Sequence, residues 1–511
     1  MSTPQISSRS GTTLGSVLAD GAARTPDATF LCFEREPGLV ETTTWQQMAA
    51  RARGTAAALR ELGVGPGDRV GVHLTNCPGF YDVWFGAALL GAAIVPTNPL
   101  STVDELRYIH HHAGCRVVVT EPDLRATVEA AGAGLVLDIT GGWAHDDAAG
   151  HDLPSVPADS VAAVLYTSGT TSKPKGVLVT HAAYLHAGDV VAGHLRLRPE
   201  DRHLVVLPLF HGNAQYYSTM SALVTGASIG LAPRFTASRW SAQAVALRAT
   251  VASLFAAPIR MILAHEPSDN DRAHALRAVL FAQNVSAAQA DAFESRFAVP
   301  LLQLYGMTET VFPPLMNPLY ERRDAASMGR PVTGARVRLI DEEGHDVAPG
   351  EPGQLLVAGE PGRTVMAAYL DDPVSTDKTL VSGWLHTGDV ARADADGYLY
   401  FVDRAKDMIK RAGENVSCGE VESVVNTHPA VFESAAVGVP DEMRDEALIV
   451  FVVVHNGQQV TAEELIALCR DRLAKFKVPD SVEFVTDLPR TSVGKIQKHL
   501  LRQRLRPAPG P

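Results

Sequence analysis

The N-terminal part of the 511-residue chain alternates helix patterns with short strand patterns, and this alternation restricts the fold more than any other feature of the sequence. Thr44 and Gln47 form a capping box in front of an apolar stripe with helical spacing. Residues 69–74 then have the pattern of a strand, residues 78–90 that of an apolar helix, and residues 93–96 that of the next strand. Such alternation predicts parallel βαβ units with helices on both faces of a sheet, and hence an α/β fold.

The length of the chain predicts more than one domain, because single hydrophobic cores stop growing at about 250–300 residues. The last clear change of pattern lies near residue 403, and the chain beyond it has strand and helix patterns of its own, including a helix capped by Thr461. A segment of that size can fold independently. We therefore predict a large domain over residues 1–403 and a small domain over residues 404–511.

Composition and charge exclude several classes of function. The net charge of −12 argues against nucleic acid or an anionic membrane as the main partner, although a few local cations can still hold a nucleotide. The five cysteines are scattered without a CxxC pair, so neither a disulfide framework nor a zinc site is predicted. The sequence has no membrane-spanning pattern and no secretory signal pattern, which predicts a cytoplasmic protein.

The segment Tyr166–Val177, YTSGTTSKPKGV, carries the strongest chemical signal. Its backbone N–H groups, hydroxyls and two lysines lie close together in the chain, which is how a loop surrounds a polyphosphate. It differs from the common P-loop because Pro174 stands where that motif has its second glycine. The ordinary alternative is a surface loop rich in serine, threonine and glycine. The residues expected to bind ATP here are Thr167, Ser168, Gly169, Thr170, Thr171 and Lys175.

Together with four later motifs, this segment resembles the adenylate-forming superfamily of acyl- and aryl-CoA ligases, peptide-synthetase adenylation domains and luciferases. The later motifs, in the order of that family, are Tyr305–Thr310, Trp384–Asp389, Asp403–Lys410 and Pro489–Lys498. The resemblance covers nearly the whole chain. It implies a large N-terminal domain of layered α/β sheets with a small, mobile C-terminal α+β domain. It also implies an AMP-forming ligase that uses ATP, Mg²⁺ and coenzyme A.

The second motif supplies three groups near the reacting atoms. Glu309 is expected to bind Mg²⁺, since hard cations prefer carboxylate oxygen, and Thr308 is expected to donate to a phosphate. The resemblance places Tyr305 near adenine and Gly306 at the border of the acyl pocket.

The third motif is expected to bind the ribose. The resemblance assigns Asp389 to both ribose hydroxyls, because a carboxylate accepts two donors, and it assigns Arg404 to the ribose or a phosphate.

The small domain is expected to carry the moving parts. Lys406 matches the hinge of the family, where backbone rotation would turn this domain. Lys495 matches the catalytic lysine, whose ammonium would stabilise the charge that develops between the carboxylate and the α-phosphate. Ala412, Gly413 and Glu414 would then line a channel for the thiol.

The acyl pocket is the least specified part of the site. His211 matches a position beside this pocket, where it would gate the pantetheine channel or contact the carboxylate; a structural histidine is the alternative. Apart from Glu309, the pocket segments contain no carboxylate, which counts against a quaternary ammonium or amino-acid substrate. The residues expected to line the pocket are Phe210, Gln215, Tyr216, Phe281, Asn284, Gln303 and Gly306.

Three positions depart from the family pattern. Ser172 replaces a glycine of the phosphate loop, the segment 281–284 replaces a small turn over adenine, and Ala412 replaces a glycine beside the thiol channel. The segments that resemble the crotonobetaine/carnitine–CoA ligase branch are 412–418, 268–271 and 444–447.

The sequence leaves the acid and the acceptor open. A small carboxylic acid passed to coenzyme A is the main expectation. One alternative is a carrier-protein thiol on a separate chain, and another is nitrite transferred to an aromatic amine in a natural-product pathway of secondary metabolism. A non-catalytic nucleotide-binding sensor is disfavoured by the intact Lys495, Glu309 and Asp389. A homodimer is an open expectation, and Cys418 is expected to be structural.

Overall fold

The computed structural model describes residues 11–140, 153–167, 174–404, 407–411, 414–441, 445–490 and 496–505. These residues form two compact units. The described residues up to Val337 and the segment Val357–Leu385 belong to the first unit, and Arg338–Leu356 and the chain from His386 belong to the second. The domain boundary at residue 403 stays a prediction.

Helices and strands are numbered in chain order. The helices of the first unit are α1 (Leu14–Arg24), α2 (Trp45–Glu61), α3 (Pro78–Leu90), α4 (Val103–Ala113), α5 (Pro122–Ala130), α6 (His181–Leu195), α7 (Met220–Thr225), α8 (Trp240–Ala246), α9 (Ala256–Leu263), α10 (Ala287–Phe297) and α11 (Pro373–Thr379). Its strands are β1 (Thr29–Glu36), β2 (Leu39–Thr44), β3 (Arg69–His73), β4 (Ala93–Pro96), β5 (Val117–Thr120), β6 (Leu135–Asp138), β7 (Val161–Thr167), β8 (Lys175–Thr180), β9 (Arg202–Val205), β10 (Ser228–Leu231), β11 (Val251–Phe255), β12 (Ala278–Ala282), β13 (Leu301–Tyr305), β14 (Leu315–Met316), β15 (Arg330–Pro331) and β18 (Leu380–Val381).

Two large sheets form the first unit. One has the strand order β15-β14-β13-β12-β11-β9-β10-β1-β2, and its strands from β13 to β1 are parallel. The other has the order β6-β5-β3-β4-β7-β8 and is parallel except between β7 and β8. The predicted βαβ alternation is confirmed, because β3, β4 and β5 pair in parallel and α3 and α4 connect them.

Local sequence signals explain where these helices begin and end. The Thr44 side chain accepts from the Gln47 N–H in the predicted capping box of α2. Helix α3 begins at Pro78 and ends before Gly91, whose φ of 70° gives the left-handed turn that stops the helix. Both helices are largely buried.

The second unit contains the strands that belong to it mostly or entirely, β16 (Val337–Ile340), β17 (Pro352–Ala358), β19 (Trp384–Ala393), β20 (Leu399–Arg404), β21 (Ile409–Arg411), β22 (Glu414–Val416), β23 (Val431–Asp441), β24 (Asp445–Val454) and β25 (Ser481–Phe484), and the helices α12 (Cys418–Val425), α13 (Ala462–Arg472) and α14 (Lys498–Arg504). One sheet has the order β22-β21-β24-β23, with β25 parallel to β24. Helix α12 begins at Cys418 because the Ser417 side chain caps it by accepting from the Glu420 N–H. No described helix of either unit combines the length and the apolar composition that crossing a bilayer requires.

A buried histidine pair in the first unit makes the stability of the fold depend on pH. His73 lies on β3, with Nδ1 2.9 Å from the Thr97 hydroxyl, and His110 lies on α4. Burial lowers the pKa of both rings to about 4, and the neighbouring His110 charge further disfavours protonation of His73. Both rings are therefore neutral in the folded protein at neutral pH.

We expect the free energy of unfolding to fall as the pH is lowered from about 6.5 towards 4. An unfolded histidine binds a proton below about pH 6.5, whereas these folded rings do not until the pH approaches 4. Thermal unfolding of the wild type and of His110→Leu can be compared across this pH range. The melting temperature of the variant should change less steeply with pH than that of the wild type. His345→Leu, at an exposed histidine, should keep the wild-type slope; equal slopes in all three proteins would contradict the assignment.

Candidate active site

The candidate site of the first unit lies at the carboxyl ends of three neighbouring parallel strands. Strands β11, β12 and β13 pair side by side, and Phe281 on β12 is the register partner of Gln303 on β13. In open parallel sheets, ligands bind beyond the carboxyl ends of the strands. The chain leaving β13 is the Tyr305–Thr310 motif, so the fold brings this motif to the same edge as Phe281 and Gln303.

Glu309 and Lys175, from two different motifs, both contact Tyr369. The buried Glu309 carboxylate accepts from the Tyr369 hydroxyl at 2.8 Å, and the Lys175 ammonium lies 4.9 Å from the centre of the Tyr369 ring. Lys175 also donates to the Ser375 hydroxyl at 2.5 Å and lies 3.6 Å from an oxygen of Asp372. Burial and the Glu309 charge raise the pKa of the Tyr369 hydroxyl, so it remains a donor to the carboxylate. The sequence patterns did not identify Tyr369, which lies outside the five motifs.

Glu309 fits a magnesium ion that is held partly by the substrate. Among the described residues, no group of three or more histidine, cysteine, aspartate or glutamate side chains could hold a metal ion. Mg²⁺ in nucleotide enzymes commonly uses one or two carboxylates together with substrate phosphates. A buried carboxylate near a lysine of the phosphate loop has the charge and the ligand type for such a site.

A π-helical segment, Asn213–Thr219, packs against the second motif. The Tyr216 hydroxyl donates to the Thr308 carbonyl at 3.3 Å. The Tyr217 hydroxyl occupies the space that a Cβ at Gly306 would need, so a larger residue there would require the Tyr217 side chain to shift. π-Helical turns occur frequently at functional sites, and this one brings the predicted residues Tyr216, Gly306 and Thr308 together.

His211 lies two residues before this π-helical segment, and its imidazole is neutral at neutral pH. Burial lowers the pKa of the imidazole to about 3, and its centre lies 4.2 Å from that of Phe210. Within the described structure, its buried Nε2 has no hydrogen-bond partner, nor does either side-chain atom of Asn213. These groups can exchange hydrogen bonds with a ligand, but His211 does not supply a positive charge at neutral pH.

Gln215, which is predicted as a polar contact for the acid, is hydrogen-bonded within the fold at both ends of its amide. Its side-chain oxygen accepts from the Tyr184 hydroxyl, and its side-chain nitrogen donates to the Leu209 carbonyl at 2.6 Å. The residue is fully buried. A buried amide must satisfy its hydrogen bonds, and here its nearest partners are groups of the fold itself.

Two residues near the site have backbone strain. Gln283 has φ of 74° and Val311 has φ of 62°. A positive φ is uncommon outside glycine, and for a β-branched residue it is an outlier. Gln283 belongs to the segment 281–284 that departs from the family pattern, and Val311 follows Glu309 closely in the chain. Such strain persists where the surrounding structure enforces it, and it is concentrated at functional sites.

In the second unit, the two residues predicted to bind ribose face each other across a strand pair. Asp389 on β19 is the register partner of Arg404 on β20, and the Arg404 Nε lies 3.3 Å from an oxygen of Asp389. Asp389 is 4% exposed, and its N–H donates to the Thr387 hydroxyl at 3.1 Å. Thr387 in turn donates to the Leu355 carbonyl at 2.7 Å. These bonds hold the end of the third motif in place.

The residues next to the predicted hinge are anchored to α12. The Asp403 carboxylate accepts from the Cys418 N–H at 2.6 Å and from the Arg404 N–H at 2.7 Å. On the other side of residue 406, Asp407 forms an ion pair with Arg502 at 2.9 Å. The buried Cys418 thiol donates to the Asp407 carbonyl, and burial raises its pKa to about 12, which agrees with a structural role.

Several predicted residues lie outside the described part of the chain. These are Ser168, Gly169, Thr170, Thr171, Ser172, Lys406, Ala412, Gly413 and Lys495. For Glu414, the structure describes only the backbone, which lies in β22. Their roles stay predictions.

Two family models match the chain. The model described as AMP-binding enzyme matches residues 18–370, and the model described as AMP-binding enzyme C-terminal domain matches residues 420–495.

The curated relatives include crotonobetaine/carnitine–CoA ligases. The protein of Proteus mirabilis (strain HI4320) is 36% identical over 495 residues, which cover 92% of this chain and 95% of that protein. The protein of Escherichia coli O139:H28 is 36% identical over 494 residues, which cover 93% and 96%.

Solved structures of proteins with similar sequences have the same fold. ATP-bound MatB from Rhodopseudomonas palustris matches with a TM-score of 0.87 and 25% identity, covering 96% of this chain and 99% of that one. The anthranilate CoA ligase AuaEII in complex with anthranoyl-AMP matches with a TM-score of 0.88 and 27% identity, covering 96% and 97%. The O-succinylbenzoate coenzyme A synthetase of Bacillus subtilis, in complex with ATP and a magnesium ion, matches with a TM-score of 0.85 and 26% identity, covering 95% and 99%.

Proposed function

The chain belongs to the AMP-binding enzyme family and is an AMP-forming acid–CoA ligase, and from that premise we propose which of its residues carry the two half-reactions. In the first, the carboxylate of the acid attacks the α-phosphate of ATP, which gives an acyl-adenylate and releases pyrophosphate. In the second, the thiol of coenzyme A attacks the acyl carbonyl and releases AMP. The observation that carries this proposal is the contact of Glu309 and Lys175 with the same Tyr369 side chain.

In the first half-reaction, the loop at residues 167–175 and the Thr308 hydroxyl bind the phosphates of ATP. Tyr369 orients the Glu309 carboxylate by donating to it. Glu309 would hold Mg²⁺, which when bound neutralises charge on the leaving pyrophosphate. Lys495 stabilises the charge that develops between the carboxylate and the α-phosphate.

We assign the ribose of ATP to Asp389 and Arg404, and its adenine to Tyr305. Asp389 accepts from the ribose hydroxyls, and Arg404 holds the Asp389 carboxylate in position through the contact at 3.3 Å. A carboxylate already fixed by a cation keeps its charge and its orientation, which is what two ribose hydroxyl donors require.

For the second half-reaction, the small domain turns about Lys406 and exchanges Lys495 for the segment 412–414, which lines the thiol channel. His211 remains neutral, because burial lowers its pKa to about 3. Its proposed task is to orient the carboxylate or the pantetheine arm by hydrogen bonding. A cytoplasmic location, a homodimer and a role in secondary metabolism stay predictions of the sequence.

The test is AMP formation from ATP across a panel of aliphatic and aromatic acids, with and without coenzyme A. AMP that depends on both an acid and coenzyme A supports the proposal. AMP formation with nitrite and an aromatic amine, independent of coenzyme A, would show that these are the substrates in place of a carboxylic acid and coenzyme A. The residues assigned to adenylation would remain the same.

Gly306→Ala should weaken acid binding, because the new Cβ would clash with the Tyr217 hydroxyl and force that side chain to shift. Overpacking of this kind costs about 1–3 kcal/mol, so KM for the acid should rise about tenfold, with less change in KM for ATP. Gly193→Ala is the matched control, since a Cβ at that helical position has open space around it. Equal effects on both KM values would remove Gly306 from the acid pocket.

A further inference from the structure

Gln303 is a buried polar residue at the edge of the sheet where the acid is expected to bind. It lies on β13, two residues before Tyr305, and only 1% of the residue is exposed. Side chains two residues apart on a strand share a face, so Gln303 and Tyr305 lie on the same side of β13.

Two acceptors fix the orientation of the Gln303 amide. Its Nε2 lies 3.0 Å from the Gln283 carbonyl and 2.9 Å from Oδ1 of Asn284, and it donates to both. An amide nitrogen carries two hydrogens, so these bonds use its whole donor capacity. The oxygen Oε1 must therefore point away from Gln283 and Asn284. This oxygen is buried and has no hydrogen-bond partner in the described structure.

The backbone that supplies these acceptors is strained. Gln283 has φ of 74°, in the left-handed region that glycine prefers. Its carbonyl and the Asn284 side chain are the groups that hold the Gln303 amide. A conformation of this cost persists when other contacts enforce it, so the turn after β12 holds the amide nitrogen and leaves Oε1 without a donor among the described residues.

The environment of this acceptor specifies the kind of donor that fits it. The pocket segments 210–217, 281–285 and 303–312 contain aromatic and neutral polar residues, and their one carboxylate, Glu309, accepts from Tyr369. An acceptor buried without a donor is unfavourable, and a ligand that supplies O–H or N–H removes that cost. A quaternary ammonium has no N–H, and a hydrocarbon chain has no donor at all.

On the premise of the proposed ligase function, we infer that the acid carries a neutral hydroxyl or amino group, and that Oε1 of Gln303 accepts a hydrogen bond from it. The substrate class is thus a hydroxy- or amino-substituted carboxylic acid, with an aromatic amine or a hydroxyl as the donor. Gln303 is then a residue that determines specificity, and Asn284 is a positioning residue that orients its amide.

The test compares acids that have a donor with isosteres that lack one. The panel consists of the hydroxy-, amino- and methyl-benzoates in each ring position, 4-hydroxybutanoate with pentanoate, and a trimethylammonium acid. The readout is kcat/KM for acid-dependent ATP–pyrophosphate exchange. For at least one hydroxy- or amino-substituted acid, kcat/KM should exceed that for its methyl isostere by about tenfold or more. A site built to hydrogen-bond a substrate hydroxyl or amine rejects the analogue that lacks this group.

Gln303→Leu should reduce the ratio of kcat/KM between the hydroxy- or amino-substituted acid and its methyl isostere to about threefold or less. It should do so by lowering kcat/KM for the substituted acid and leaving that for the isostere nearly unchanged. Asn284→Ala should reduce the ratio in the same direction and provides a second variant if Gln303→Leu unfolds. Gln243→Leu is the matched control, since Gln243 is also buried with a side-chain oxygen that has no partner in the described structure, but it lies on α8.

A ratio near one in the wild type, a ratio unchanged by Gln303→Leu and Asn284→Ala, or a preference for the trimethylammonium acid would overturn the inference. Failure of every acid to support exchange would instead count against the proposed function, so the two failures are distinguishable.

Discussion

Lys495→Ala should lower acyl-adenylate formation by about a hundredfold or more, the scale seen when one preorganised group that stabilises transition-state charge is removed. The attacking carboxylate and the α-phosphate are both anionic, so their approach needs a cation between them. The effect should appear in kcat for ATP–pyrophosphate exchange, with a smaller change in KM for ATP.

The same variant should keep the second half-reaction, because the proposed domain rotation withdraws Lys495 before the thiol attacks. Single-turnover transfer from a synthetic acyl-adenylate to coenzyme A measures this step alone. Lys475→Ala, at an exposed lysine of the same unit, is the control and should leave both half-reactions unchanged. A wild-type rate of ATP–pyrophosphate exchange in Lys495→Ala would contradict the catalytic role of Lys495. Equal loss of both half-reactions would indicate a structural defect.

The described residues that flank the segment 491–495 form ion pairs and a strand bridge. Arg490 pairs with Glu433, and residues 490 and 496 form an antiparallel bridge. Lys498 is partly buried and lies 2.7 Å from a carboxylate oxygen of Glu422. The negative charge of Glu422 raises the pKa of Lys498 against the opposing effect of burial, so this lysine stays charged as a structural group.

Glu309→Gln should reduce exchange by about a hundredfold at ordinary Mg²⁺ concentrations and should raise the Mg²⁺ concentration that gives half-maximal rate. The substitution conserves shape but removes the charge that a hard cation prefers, and the amide can still bond to Tyr369. A magnesium titration of the exchange rate measures both quantities.

Two further variants separate the metal role of Glu309 from a structural one. Tyr369→Phe removes the donor to Glu309 and should have a smaller effect in the same direction. Glu34→Gln, at a buried glutamate on β1 that pairs with Arg239, should leave the magnesium dependence unchanged. A lowered rate in Glu309→Gln with an unaltered magnesium requirement would contradict the assignment.

The two glutamines predicted for the acyl pocket have different hydrogen-bond partners in the structure. The sequence predicts both Gln215 and Gln303 as polar contacts for the acid. In the structure, the Gln215 amide is bonded at both ends within the fold, whereas Gln303 keeps a buried acceptor without a partner among the described residues. Two glutamines of equal chemistry therefore differ in what they offer a substrate, because their neighbours in space differ.

The sequence by itself determined the elements whose signals are local. The capping boxes at Thr44 and Thr461, the proline that begins α3 and the βαβ alternation depend on residues a few positions apart, and all are present in the structure. Five motifs in family order likewise predicted the AMP-forming ligase, because such motifs record the chemistry of short contiguous segments.

Only the tertiary structure decided the contacts between distant segments. Tyr369 reaches Glu309 across 60 residues of sequence, and no local pattern marks it as a partner. The orientation of the Gln303 amide depends on the strained turn at Gln283, and the Tyr217 hydroxyl limits the space for a side chain at Gly306. The physical reason is the same in each case: hydrogen-bond geometry and steric exclusion depend on distances in space, which the order of residues along the chain does not contain.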